Sequence, residues 1–268
     1  MLARILANIA DNLLAVGALA VVGVVWGVRE HLGLAGVLLP IGKVRVSYSA
    51  LLRIRSKDRC VLFQSNSRPE TYGPPGGVFK YDDHARPLLD RLEFHDDKWS
   101  ACEADMRGDL RGKVPARSLL GFIRWFKTGA GRESAEACLR RELQEELTEV
   151  ELAELIPTVD ALRFVRVRTI TEVQRKVRGG GPARQVRRFE LYDLEPNTAG
   201  QEIATRLTDA GDDPGKTRVC CADRADISYG RCGTRLIAAH TPYLNGGKRL
   251  PYDIPPLRLP DSPPPLHA

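Results

Sequence analysis

The sequence predicts a mixed α/β (α+β) domain preceded by an N-terminal transmembrane helix, and three observations carry that prediction. An uncharged apolar run opens the chain, strand-like and helix-like segments share one continuous block, and a charged helix gathers three glutamates on one side. The block runs from about residue 43 to 250, a length suited to one large domain. Strands on both sides of helices within it argue for a mixed sheet. The composition, 43% hydrophobic and 28% charged, is that of a folded chain and excludes a disordered one.

The first 42 residues form the membrane segment. Leu13 to Val28 (LLAVGALAVVGVVWGV) carries no charge, and extending the run back to about residue 9 gives a span of about 9–28. That length suits the ~17–25 residues needed to cross a bilayer. Trp26 lies near one end, where indoles favour the headgroup layer. Lys43, Arg45, Arg53, Arg55, Lys57 and Arg59 follow it, against a lone Arg4 before. The positive-inside rule then places the large C-terminal part in the cytoplasm, anchored in the inner membrane by a single pass. A cleaved signal peptide and a buried core helix are competing readings. A second apolar stretch, Leu32–Gly42 (LGLAGVLLPIG), is too short to span fully and leaves a two-pass arrangement open.

Along the block, Val44–Arg55 and Arg59–Phe63 have strand-like composition, and Tyr72–Gly77 (YGPPGG) is a turn. Residues 81–112 are polar and acid-rich and read as irregular, the body of an insertion spanning about 80–117. Ser118–Lys127 (SLLGFIRWFK) predicts a short helix packed on the body, and Glu133–Val150 a longer one. Ala161–Arg175 and Gln185–Leu194 predict two strands joined by a glycine-rich turn, Arg178–Arg184. A polar loop is expected over about 195–218, and a final helix over Gly233–Leu244. Residues 251–268 are Pro-rich and read as an extended tail.

Net charge is +6 with a pI near 9.1, which favours anionic partners: phosphates, nucleotides or acidic lipid headgroups. The six cysteines form no CxxC pair and no zinc spacing, as suits a reducing compartment.

The glutamates of the longer helix pose the sharpest question. Glu142, Glu145 and Glu146 stand at i, i+3 and i+4, where like charges cost roughly 0.2–0.5 kcal/mol per pair. Ala135, Leu139, Leu143 and Leu147 form its apolar stripe, and Glu146 projects only about 20° from Leu139. Two of the glutamates therefore border or enter the buried face, where an uncompensated carboxylate is expensive. A solvated face fits that angle poorly. A hard divalent cation such as Mg²⁺ fits it well, because it takes carboxylate oxygens and keeps water that a phosphate displaces.

The pattern Glu133, seven residues, then Arg141-Glu142-Leu143-Gln144-Glu145-Glu146 resembles the Nudix box, and Gly76 and Gly77 resemble the glycine turn that precedes it. Here about 55 residues separate the two. This layout, with a DLR…SLLGFIRWFKTGAGRES lead-in, is similar to the SMODS-associated Nudix domain found beside cyclic-oligonucleotide synthases in bacterial antiphage defence (CBASS). Membrane segments ahead of the domain fit that subgroup too.

The resemblance implies a Nudix fold, a mixed sheet sandwiched by helices, over about 43–250. It implies Glu142, Glu145 and Glu146 as ligands of Mg²⁺ or Mn²⁺, with Glu142 as base and Arg141 orienting the carboxylates. Gly76 and Gly77 would approach metal and phosphate through their backbone. The chemistry would be attack on a phosphorus of a nucleoside diphosphate linked to another group. The nucleotide partner would be a cyclic oligonucleotide made by a partner CD-NTase, with a general pyrophosphatase and a non-catalytic nucleotide-binding module as alternatives. Assembly into a homo-oligomer is left open. Thr148 and Glu149 depart from the glycine and apolar residue that should close the box, and Lys127 from its first glycine.

Arg163, Arg166, Arg168, Arg175, Lys176, Arg178, Arg184, Arg187 and Arg188 make a dense basic run. Arg166 and Arg168 are the candidates for phosphate contact; a solvated hairpin tip and a patch on acidic lipid are the competing readings. No reading helix or recognised motif points to duplex nucleic acid. His240 and Tyr243 are candidates for a base or ribose contact, against a packed, hydrogen-bonded role.

Overall fold

The computed structural model describes residues 42–66, 68–97, 107–174 and 184–251. The expected membrane span, the short apolar stretch after it up to residue 41, residues 175–183 with most of the expected glycine-rich turn, and the Pro-rich tail from residue 252 lie outside them. No helix among the described residues is long and apolar enough to cross a membrane.

Strand β1 (Lys43–Arg53) organises the molecule. Its residues alternate, as a strand with two different environments requires. Val44, Val46, Tyr48, Ala50 and Leu52 enter the main core, while Arg45, Ser47, Ser49 and Leu51 line a cleft. β1 pairs antiparallel with β6 (Arg111–Pro115) and parallel with β8 (Gln185–Leu194), and β8 pairs antiparallel with β7 (Phe164–Gln174). With the short β5 (His95–Asp96) on the outer side of β6, the order of this sheet is β5-β6-β1-β8-β7.

A second sheet has β3 (Arg59–Ser65) and β4 (Arg68–Gly73) at its centre. β11 (Arg235–Ile237) extends it in parallel beyond β4, followed by β10 (Arg231–Cys232). β2 (Arg55–Ser56) and β9 (Val219–Ala222) both pair with β3. Leu51, Phe189 and Leu191 of the first sheet share a smaller core with Leu62, Tyr72 and Ile237 of the second.

Helix α1 (Arg86–Arg91) precedes β5, and α2 (Leu119–Thr128) packs on the core face of β1. Phe122 and Phe126 of α2 meet Tyr48 edge-on, with centroids 5.3 and 4.5 Å away. Helix α3 (Ala135–Glu149) begins where Ser134 accepts a hydrogen bond from the Ala137 N–H, a side-chain cap on an otherwise orphaned donor. It buries Cys138, Leu139, Leu143 and Leu147. After it come α4 (Ile156–Val159), α5 (Thr198–Asp212) and α6 (Arg224–Tyr229).

Three expectations are corrected. The stretch 81–112 is not irregular where it is described: it holds α1, β5 and the start of β6, and β6 is an inner strand of the main sheet. The polar loop expected over 195–218 is largely helix α5, capped by Asn197, whose side chain accepts from the Gly200 N–H. α5 escaped notice because its stripe is thin, just Ile203, Leu207 and Ala210, and is interrupted by Gly211. That glycine is required, since a Cβ there would lie 2.6 Å from the Cys221 sulfur. The final helix over 233–244 is absent. Gly233 takes a positive φ, β11 follows, and Thr241–Asn245 forms only a short 3-10 turn around Pro242.

Candidate active site

The site is built where the glycine loop is pressed between β1 and α3. The Ala50 N–H donates to the Gly77 carbonyl at 2.9 Å, and the Leu52 N–H to that of Pro75 at 2.8 Å. Gly76 has φ +125°, and a Cβ on it would stand 2.3 Å from the Ala50 carbonyl oxygen. A Cβ on Gly77 would stand 2.0 Å from the Glu142 carboxyl carbon. Both glycines are therefore dictated by close approach, one towards the strand and one towards the helix.

Arg141 is the hub of the carboxylates. Its guanidinium donates to Glu133 at 2.7 and 3.2 Å, to Glu142 at 2.7 Å and to the Val78 carbonyl at 3.1 Å. Glu145 lies 3.6 Å from it. Glu133 in turn accepts from the Lys80 N–H at 2.6 Å and returns its own N–H to the Lys80 carbonyl at 3.0 Å. One cation thus faces three carboxylates and fixes the segment after the glycine loop against the start of α3.

Glu146 accepts a 3.0 Å hydrogen bond from the Gly76 N–H. Burial pushes its pKa well above the usual carboxylate range, and the Glu142 charge pushes it further, against the pull of that hydrogen bond. Burial also raises Glu142, opposed by Arg141. Glu149, the departure at the end of the box, lines the same cleft, and burial raises it as well.

The cleft encloses about 1560 Å³ and exceeds the ~300–1,000 Å³ of an ordinary small-molecule pocket. Its far end is cationic. Glu172 accepts from the Tyr243 hydroxyl and, at 3.1 Å, from Arg249, and lies 3.8 Å from Arg187. His240 stacks parallel on Phe189 at 5.7 Å. Burial, then the charges of Arg249, Arg187 and Arg68, push its pKa down to about 3. Phe189 is the β8 partner of Ser49, whose other side bridges to Val78. Phe189 therefore lies two strand spacings, about 10 Å, from Val78, while the His240 ring comes close to Gly73.

Among the described residues, no three His, Cys, Asp or Glu side chains already converge as a metal cage. The donor set nevertheless fits a hard divalent cation held by one or two carboxylates and otherwise by water and phosphate. Glu142 and Glu146 are half-buried oxygen donors, and the charge of Glu142 adds to the cost of ionising Glu146, a cost that a bound cation would lower.

The structure brings Gly76, Gly77, Arg141, Glu142, Glu145 and Glu146 to one cleft. It does not bring Arg166 and Arg168 there. β7 is the outer strand, separated from β1 by β8, and a bulge between the two arginines breaks their register. Arg166 is exposed, and Arg168 donates to the Tyr243 carbonyl. Of the basic run, Arg187 lines the cleft, whereas Arg188, one residue on and facing the other way, pairs with Glu190 at 3.1 Å. His240 lines the cleft; Tyr243 is packed beneath with its hydroxyl on Glu172. Sequence reasoning missed Asp109, Arg111, Glu149 and Arg249 as cleft residues. Alternation along β6 was the one usable signal for Arg111.

A family model for the SMODS-associated NUDIX domain matches residues 43–245. No curated protein matches the sequence. Among solved structures, Shewanella oneidensis NrtR, crystallised with a 27mer DNA, is 15% identical, with a TM-score of 0.31. The match covers 75% of this chain and 57% of that one, so the chain spans little more than half of its length. The carboxylate helix, its arginine hub and the glycine loop all fall inside the matched family span, and the chain belongs to the SMODS-associated NUDIX domain family.

Proposed function

We propose that the cleft binds a nucleotide through a divalent cation, Mg²⁺ or Mn²⁺, held at Glu142, Glu145 and Glu146, and hydrolyses a phosphoanhydride of it. The observation that carries this reading is the half-buried Glu146, tied to the Gly76 N–H and set beside Glu142 without a cationic partner of its own among its hydrogen bonds. When bound, such a cation neutralises charge on phosphate oxygens and acidifies coordinated water. The chain's own residues do the rest. Arg141 holds Glu142 in place, and the glycine loop offers backbone where any side chain would collide. Arg187 and Arg249, braced on Glu172, draw the anionic ligand to the far end.

In this reading the domain is the cytoplasmic part of a membrane-anchored effector in a cyclic-oligonucleotide (CBASS) antiphage system. A cyclic oligonucleotide from a partner CD-NTase is its signal. The cleft volume, larger than one nucleotide needs, supports a ligand of that size. The test uses the full chain in lipid vesicles with Mg²⁺ and ADP-ribose, NAD or cyclic di- and trinucleotides. We expect metal-dependent release of a mononucleotide from at least one, removed by chelator and by Glu146→Gln. Tight binding without turnover and indifferent to chelator would instead establish a non-catalytic binding module. Neither binding nor turnover with any of them would refute the reading.

A further inference from the structure

Asp109 enters the cleft from the insertion, not from the helix that carries the other carboxylates. Its backbone bridges to Lys80, three residues past Gly77. The adjoining Leu110 N–H donates to the Phe79 carbonyl at 2.7 Å, and the Tyr48 N–H to the Leu110 carbonyl at 3.1 Å. The position is thus clamped to the glycine-loop segment and to β1 at once.

Its side chain lines the cleft although the residue is only 6% exposed. Among the described residues it makes no hydrogen bond or salt bridge. Its carboxyl oxygens are not among the orphaned buried atoms of the described residues: they open onto the cleft, where a ligand can meet them. Lys80 and Arg111 line the cleft beside it, and their charges act on it together with those of Glu142 and Arg141.

Glu142 is in the opposite situation. Arg141 occupies one of its oxygens at 2.7 Å, and the Gly77 backbone covers its carboxyl so closely that a Cβ would overlap it.

Resting on the hydrolysis proposed above, we propose that Asp109 is the catalytic base, and that Glu142 serves the cation site instead. The Asp109 carboxylate takes one proton from the attacking water. The water oxygen forms the new bond to phosphorus while the bridging P–O bond breaks. The departing phosphate leaves with that electron pair, and Asp109 passes its proton to the departing phosphate or to solvent. No oxidant or further reactant is needed. The insertion between the glycine loop and the helix thereby gains a role: it delivers the proton acceptor.

The experiment compares the full chain with Asp109→Asn, Asp109→Glu and Asp109→Ala, using Mg²⁺ with ADP-ribose and NAD. Asp109→Asn is expected to lose kcat by ~100-fold or more with KM nearly unchanged. Asp109→Glu, which keeps a carboxylate, should retain far more turnover. Added sodium formate should restore part of the activity of Asp109→Ala and none of that of Glu146→Gln; such rescue also shows that the variant is folded. Wild-type turnover with equal rates in wild type and Asp109→Asn would overturn this assignment alone, as would equal loss in the Asn and Glu variants without formate rescue. An inert wild type would instead overturn the hydrolysis on which it rests.

Discussion

At one end of the cleft a single guanidinium, Arg141, stands among Glu133, Glu142 and Glu145; at the other a single carboxylate, Glu172, stands between Arg187 and Arg249. The two arrangements are inverses. Burial acts on both, raising carboxylate pKa values at the first end and depressing that of His240 at the second. The first end is left with excess negative charge and the second with excess positive charge. A ligand that satisfies both would bring a cation to the glutamates and an anion to the arginines, as the proposed metal-bound nucleotide would.

The two ends also differ in how rigidly they are made. Gly76→Ala sets a side chain at φ +125° against the Ala50 carbonyl and should cost on the order of 3 kcal/mol in urea denaturation. Gly73→Ala, beside His240, meets only the Ala238 Cβ at 3.2 Å and the His240 ring at 3.9 Å, and should cost under about 1 kcal/mol. Equal costs would break the contrast between a close-fitted acidic end and a looser cationic end.

A smaller effect concerns pH. His240 stays neutral in the folded chain down to about pH 3, whereas an unfolded histidine protonates near 6.5. Its contribution to stability is therefore complete above pH ~6.5 and falls as pH falls below that, at up to about 1.4 kcal/mol per pH unit. The raised carboxylates act in the other sense: Glu142 and Glu146 bind protons more readily folded than unfolded, so their penalty at neutral pH fades as pH falls towards 4.5. His240→Phe, which keeps a ring on Phe189, should flatten the loss of stability between pH 6.5 and 4. An unchanged slope in urea midpoints would mean that His240 is not the group that titrates.

Much of the acidic end was legible in the sequence because it sits on one 15-residue helix, where spacing alone assigns faces. The Leu139–Leu143–Leu147 stripe and the glutamates beside it needed no tertiary knowledge. The cationic end was not legible. Arg187 could be told from Arg188 only by which face of β8 meets the cleft, and a bulge removed Arg166 and Arg168 from any simple alternation. Arg249 and Glu172 meet across 77 residues. Asp109 was hidden for the same reason, since Glu142 lies on another element and only tertiary pairing with the segment after the glycine loop and with β1 places both in one cleft. β4, with Tyr72 as its lone buried residue, gave no periodic signal.

The central claim, that crowded carboxylates at one end of the cleft exist to hold a divalent cation, is tested most directly by titrating the full chain with Mn²⁺ and reading free ion by electron paramagnetic resonance. The account predicts saturable binding that weakens by ~10-fold or more in Glu146→Gln and is unchanged in Glu172→Gln. Binding of equal strength in wild type and Glu146→Gln, or no saturable binding at all, would contradict it.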